Sequence, residues 1–322
     1  MTTTSTTRDY EPHRRALTGF CYRMLGSAAE ADDAVQETLI RAWRHGDGFE
    51  GRAAFKTWLF RIATNVCIDA INGRKRRARP MELSPVGHAR VVLTAPSAED
   101  TWVTPINDVA IIDDDHDPAQ ALLHRESVRL AFVAALQHLP AKQRAVLILR
   151  DVLSFSANEV AELLETTVAS ANSALQRARA TLAEKPIAAS DVRNTLDAAQ
   201  QALLDAYLAA FERYDIAALA KLLHEDAVLS MPPWPLWLQG HGDISAWMLG
   251  TGIGCVGSKL VPVVASGSPA FAQYRKAEDG NGHMAWSIIV LELNDGLIAG
   301  VNNFLDVERL FPRFGLPMRL LA

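Results

Sequence analysis

Near residue 224 the hydrophobic pattern of this chain changes period, and that change decides which folds are open to it. Up to Leu223 apolar residues recur every three to four positions, the repeat of amphipathic helices; beyond it they alternate in short runs, the repeat of half-buried strands. Ala227–Met231, Leu260–Ser266, Ala270–Arg275, Met284–Leu293 and Leu297–Asn303 read as strands. Pro232-Pro233, Gly240, Ser268-Pro269, Asp279-Gly280-Asn281-Gly282 and Asn294-Asp295-Gly296 mark their turns, and a helix at Asp243–Leu249 interrupts them. Helices first and strands afterwards predict a multidomain chain. It consists of all-α modules followed by an α+β cone whose curved antiparallel sheet can enclose a pocket. A length of 322 residues and an apolar fraction of 49% suffice for two or three separate cores.

The helical part reads as two units. In the first, Tyr10–Leu25 is a helix stopped by Gly26, and Ser27 with Glu30 forms a capping box for the next. Behind that cap Ala31, Ala34, Val35, Thr38, Leu39, Ala42 and Trp43 make a buried stripe, and the other face carries Asp32, Asp33, Gln36 and Glu37. After the Gly-rich segment His45–Arg52 a further helix, Ala53–Asn72, buries Phe55, Leu59, Ile62 and Val66 and runs into the cationic stretch Arg74-Lys75-Arg76-Arg77-Ala78-Arg79. Trp58, Arg61 and Asn65 share one face of it; Trp58 is either core or part of a surface on which an unstacked base rests. The second unit begins with a helix over Ala119–Leu139. It ends in a capping box at Ser156 and Glu159, a short helix, the turn Glu165-Thr166-Thr167 and a longer helix Val168–Leu182. That is the helix-turn-helix pattern, with an ordinary helical hairpin as the alternative. Asn172, Ser173, Gln176, Arg177 and Arg179 lie on or beside the outer face of the last helix, where they could meet phosphate or base edges. Glu165 stands where a left-handed backbone would favour glycine.

Charge is divided unevenly along the chain, and the net −5 conceals it. Residues 1–80 hold 14 Lys/Arg against 9 Asp/Glu, 81–117 hold 1 against 8, 118–185 hold 8 against 6 and 186–322 hold 9 against 14. Two mildly basic modules thus flank an acidic, proline-broken linker, with an acidic domain behind them. Inside the linker Trp102-Val103-Thr104-Pro105 is an apolar island and a candidate docking point, while Asp113–Asp117 reads as a solvated tether rather than a metal cluster. Cys21, Cys67 and Cys255 are too few and too scattered for a disulfide framework or a Cys-rich metal site. Met1–Thr7 lacks the apolar core of a signal peptide and no apolar run reaches 18 residues, so a soluble cytoplasmic chain without a membrane span is expected. In the cone, His224, Asp226, His241, His283, Asp295 and Asp306 are candidate polar groups. Asp226 or Asp306 could act as a base if held in an apolar cavity, but no pair has the spacing of a dyad.

Two long stretches carry a family resemblance. Ala31–Thr38, Phe49–Arg52 and Phe55–Asp69 resemble region 2 of the extracytoplasmic-function sigma factors of bacterial RNA polymerase, and Leu139–Val146 with Asn172–Arg179 resembles their region 4. The remainder resembles a SnoaL-like domain of the nuclear-transport-factor-2 superfamily. The implied layout is region 2 at 10–79, an acidic linker at 80–118, region 4 at 119–183 and the SnoaL-like domain at 198–317. The resemblance implies that Asp32, Asp33, Gln36 and Glu37 dock the β′ clamp helices of the polymerase core, with the β flap as a second contact. It implies that Arg52, Trp58, Arg61, Asn65, Arg74, Lys75, Arg76 and Arg77 meet the −10 element, and that Asn172, Ser173, Gln176, Arg177 and Arg179 meet the −35 element. Trp102 and Pro105 of the linker, with Asp279 and Gly280 of the tail, would serve regulatory docking, the Asp279 turn packing near region 2. No cofactor, metal or catalytic residue is implied, and the C-terminal pocket leaves room for an unknown small ligand. The competing classes are an isomerase- or cyclase-type enzyme in the C-terminal domain and a stand-alone helix-turn-helix repressor. The acidic face at Asp32–Glu37 argues against the repressor, which has no need of it.

Overall fold

The computed structural model describes residues 10–45, 54–73, 75–91, 95–98, 101–112, 118–185, 191 and 196–321. The first unit is α1 (Glu11–Leu25), α2 (Ala28–Arg44) and α3 (Phe55–Ile71), followed by the single turn α4 (Pro80–Leu83). Gly26, at φ 72°, ends α1 in the left-handed conformation, and the Ser27 side chain accepts the Glu30 N–H to start α2. The expected reciprocal bond does not form, because the Glu30 carboxylate turns instead to Arg77.

The second unit contains α5 (Pro118–Glu126), α6 (Leu130–Leu136), α7 (Ala141–Leu147) with a π turn at Ile148–Val152, α8 (Ala157–Leu163) and α9 (Val168–Ala183). The one helix expected over Ala119–Leu139 is therefore two. At the break the Ser127 hydroxyl donates to the His124 carbonyl and accepts from the Arg23 guanidinium of α1, a side-chain competition of the kind that interrupts helices. The Ser156–Glu159 capping box closes, Thr167 caps α9, and Glu165 takes the left-handed turn position at φ 51°.

The third unit holds α10 (Ala198–Arg213), α11 (Ile216–Leu222), β1 (Leu223–Ser230), β2 (Trp237–Gln239), α12 (Gly240–Leu249), β3 (Lys259–Ala265), β4 (Ser268–Lys276), β5 (His283–Asn294), β6 (Leu297–Phe304), α13 (Val307–Arg313) and β7 (Arg319–Leu320). Its seven strands run in the order β2-β1-β6-β5-β4-β3, with β7 beside β5. Every pairing is antiparallel except β1 with β6, which is parallel. Residues on β4 alternate in the side they face, both sides being covered: Ala270, Ala272 and Tyr274 face the helical units, while Phe271, Gln273 and Arg275 face into the cone.

The consequence is a shared core. Phe20, Leu59 and Phe60 of the first unit, Val133, Leu136 and Ile148 of the second, and Tyr274, Ile288 and Phe311 of the third belong to one apolar cluster. The inner face of the sheet makes a second cluster with α10 to α12. The expected tether is correspondingly ordered over much of its length. Trp102 is 2% exposed, and Val103, Ile106, Ile111 and Ile112 are buried with it; Asp113–Asp117 lie outside the described residues.

Candidate protein- and nucleic-acid-binding surfaces

On α2 a turn of about 100° per residue puts Ala31, Val35, Thr38 and Ala42 on the core side. Asp33 and Gln36 are exposed, and Asp32 is half-buried because the Arg313 Nε of α13 donates to its Oδ2 at 2.8 Å. Glu37 pairs with Arg41 at 2.6 Å, and Arg41 lies 3.7 Å from Asp69 of α3. Trp43 is not in the stripe: it falls on the flank shared with Asp32 and Gln36 and is 75% exposed, with Ile40 exposed nearby. An indole beside carboxylates on an open helix is a feature of protein-docking surfaces, and the periodic reading missed it. Between α2 and the third unit runs a groove of about 610 Å³ that Glu30, Asp33, Asp306, Arg309 and Arg313 help to line. Burial raises the carboxyl pKa of Asp306 there. Asp226 is exposed on β1, so neither aspartate stands in the interior of the cone.

The cationic stretch after α3 is dispersed rather than presented as one patch. Arg52 and Arg74 lie outside the described residues. Lys75 and Asn65 are exposed, Trp58 is half-buried with its ring 5.7 Å from that of Phe55, and Arg61 is ion-paired to Glu165 in the turn before α9. Arg76 pairs with Glu82 at 2.5 Å and also meets His138. Arg77 corrects the expectation outright. It is 5% exposed, bonded to Glu30 at 2.8 Å and donating to the Trp102 carbonyl, so it holds the linker and faces no nucleic acid. A buried guanidinium needs its partners inside the protein, and Glu30 supplies one. Around Arg61 the two helical units touch, with the Phe60 and Phe155 rings 5.2 Å apart and the Lys56 ammonium 4.8 Å above Phe155.

The outer face of α9 is open. Asn172, Ser173, Gln176 and Arg177 are exposed, while Ala171, Leu175 and Ala178 seat the helix on the second unit. Arg179 is fixed by two bonds to Asp151, at 2.9 and 2.6 Å. Small polar side chains at the start of a helix with arginines one to two turns later suit entry into a major groove.

Comparison with known proteins matches three segments to family models: Sigma-70 region 2 over residues 10–77, Sigma-70 region 4 over 129–182 and a SnoaL-like domain over 204–301. The ECF RNA polymerase sigma factor SigG of Mycobacterium tuberculosis is 43% identical over 316 residues, covering 95% of this chain and 82% of its own length. The chain belongs to the ECF sigma factors. A second relative from the same organism, SigJ, is 25% identical over 303 residues, 91% of this chain and 89% of SigJ. The crystal structure of M. tuberculosis SigJ has the same fold, with a TM-score of 0.59 at 21% identity over 96% of this chain and 99% of that one. This ECF sigma factor therefore directs RNA polymerase to promoters, and it carries a SnoaL-like domain behind region 4. No helix among its described residues is long and apolar enough to cross a membrane.

The three parts of the sigma factor are latched by buried polar groups. Arg23 is 1% exposed; its guanidinium binds Ser127 and the His124 carbonyl, and burial pulls its pKa down to about 10. Arg144 reaches back to the Met24 carbonyl and to Gln137, whose amide donates to the Arg23 carbonyl. Trp102 donates to the Pro233 carbonyl at 3.1 Å, and the Thr104 N–H donates to the Gly26 carbonyl, so the linker bridges region 2 and the SnoaL-like domain. Pro105 follows within that segment and is buried. Arg79 crosses to Glu292 of β5 at 3.1 Å. The Asp279–Gly282 turn does not pack near region 2. Asp279 is held by Arg319 of β7 at 2.6 Å, because the β4–β5 hairpin end is paired with the chain's own final strand, and Gly280 faces open space.

Proposed function

We propose that this sigma factor is held closed by its SnoaL-like domain, and that polymerase binding requires that domain to move. The acidic face of α2, with Gln36 and the exposed Trp43, is the surface for the β′ clamp helices; α3 around Trp58, Arg61 and Asn65, with Lys75, serves the −10 element; the outer face of α9 serves the −35 element, with region 4 on the β flap. The chain supplies recognition, and bond making stays with the polymerase.

The observation that carries the restraint is the seating of α13 against α2. Arg313 occupies Asp32 and Arg309 lines the same groove, so the tail offers to the acidic face the kind of cation a polymerase surface would offer. The Arg61–Glu165 pair supports the same reading for DNA, since a −10 residue is tied to region 4. The −35 face of α9 is left uncovered. Affinity for purified core polymerase and run-off transcription from candidate promoters test this, comparing the native chain with Arg309→Glu plus Arg313→Glu. Tighter association and more transcript from the variant are expected. Failure of both the native chain and the variant to bind core polymerase at low salt would overturn the docking assignment; a variant that binds no better than a binding native chain would overturn the restraint.

A further inference from the structure

The interior of the SnoaL-like domain is a cavity of about 310 Å³, at the lower end of the range for small-molecule sites. Its walls are aromatic and aliphatic, among them Tyr207, Phe211, Trp234, Trp247 and Met248. Among the residues lining it there is no Asp, Glu or His; its one formal charge is Arg275. The Arg275 guanidinium sits over the Trp286 ring, 3.4 Å from centroid to Cζ, and its Nη2 meets the Cys255 sulfur at 3.1 Å. Its Nε is buried and has no hydrogen-bond partner, and no carboxylate lies within ion-pair distance of it among the described residues.

Two features show that this placement is built into the sheet. In the pairing of β4 with β5, Gln273 faces Ser287 and Tyr274 faces Ala285, which leaves Trp286 as the extra residue of a bulge and turns its ring inward under Arg275. On the other side Gly254 comes so near that a Cβ there would sit 3.4 Å from Nη1. Three other polar groups of the wall are engaged within the protein: Gln273 with Ser258 and Ser287, Asn303 with the Ser230 carbonyl, Tyr214 with the Met248 and Gly252 carbonyls. The guanidinium is the one cationic donor among the lining residues.

We propose that this cavity binds an amphipathic monocarboxylate, its apolar body against the aromatic wall and its carboxylate on Arg275. A single guanidinium balances a single negative charge and matches the two oxygens of a carboxylate, whereas a phosphate dianion would call for further cations that the wall does not have. The assignment is independent of any restraint exerted by the tail, because it is read from binding alone.

Titration calorimetry of the full chain with decanoate, decanol and decyltrimethylammonium tests it. Decanoate should bind one per chain, about tenfold or more tighter than decanol, because a charge-assisted bond is added to the same apolar contact. Decyltrimethylammonium should bind more weakly still. Arg275→Met should bring decanoate down to the level of decanol and leave decanol unchanged, whereas Arg275→Lys should keep part of the preference. Decanol equal to decanoate on the native chain, or no decanoate binding at millimolar concentration, would overturn the proposal without reference to any variant. An Arg275→Met protein that folds natively by circular dichroism and keeps the full preference would do so too.

Discussion

Glu292→Gln is the substitution that should loosen the sigma factor most for the least change in shape. Glu292 Oε2 lies 3.1 Å from Arg79, and both side chains are about seven-eighths buried, at 12% and 13% exposure. Asn302 shares Arg79 at 3.2 Å, but its neutral amide adds no counter-charge. Arg129, at the start of region 4, also lies in the field of Glu292: burial lowers its pKa and the glutamate is the leading influence opposing that. One carboxylate of the SnoaL-like domain thus pairs with an arginine of the first helical unit and acts at longer range on one of the second. Removing one member of a buried pair costs about 3–5 kcal/mol. Glutamine keeps an oxygen for Arg79, so the lower figure applies, and about 3 kcal/mol is roughly a hundredfold in the population with these contacts open. Hydrogen exchange of the full chain measures this. The Ala78 amide, bonded to Thr101, and the Val133 amide, bonded to Arg129, should exchange faster by about that factor, while β5–β6 amides distant from the site stay as in the native chain. Gly300→Ala should have a related effect, because a Cβ there would stand 2.7 Å from Glu292 Oε2 and push it off Arg79. Unchanged protection at Ala78 and Val133 in a folded Glu292→Gln protein would refute the reasoning.

Reversing Asp33 and Glu37 together to lysine should weaken association with core polymerase while lowering fold stability by less than about 1 kcal/mol, since Asp33 is exposed and the Glu37–Arg41 pair is solvent-screened; calorimetry with core enzyme and a melting curve of the free chain separate the two. Arg177→Ala should reduce holoenzyme binding to −35 DNA by about 1–3 kcal/mol if the side chain reads a base edge, or lower the salt slope by about one if it meets phosphate; equal affinity and equal slope would remove it from the interface. His138 is held below its ordinary pKa of 6.5, first by burial and then by Arg76, with Glu82 opposing. The folded state therefore prefers the neutral ring. Its contribution is complete above about pH 6.5 and declines as pH falls from there toward the depressed folded value. Melting temperature should drop over that window, and His138→Gln should flatten that part of the profile.

Local signals were legible because local chemistry decides them. Gly26 ends a helix, Ser156 with Glu159 begins one, and Glu165 takes its turn at a positive φ, each within three residues of its partner or on its own backbone. The five longer strands were visible from their alternation, whereas β2 and β7, of three and two residues, are too short to show a period. Nor does periodicity reveal that β1 pairs in parallel with β6, or that a bulge turns Trp286 inward. Charge partners were the least readable. Arg77 looked like one more cation in a basic run until the fold brought it to Glu30, and Asp32 meets an arginine 281 positions away. Helical spacing states which face a residue occupies; it does not state what lies across from that face. Leu310 and Phe311 of α13 are buried, yet it is the closure of the sheet that carries Arg309 and Arg313 of the same helix onto α2.

The segment from Met231 to Leu236 is a party wall. Met231 and Trp234 help to enclose the cone's interior, while on the other side the Pro233 carbonyl accepts from Trp102 and from the Ser97 amide. Leu305, bonded through its amide to Pro232, borders both the interior and the groove over α2. Any occupant that favours one position of this wall must change how firmly Trp102 is gripped, and freeing Trp102 must change the occupant's affinity by the same factor. Two measurements made on opposite sides of one short loop would then have to return a single number.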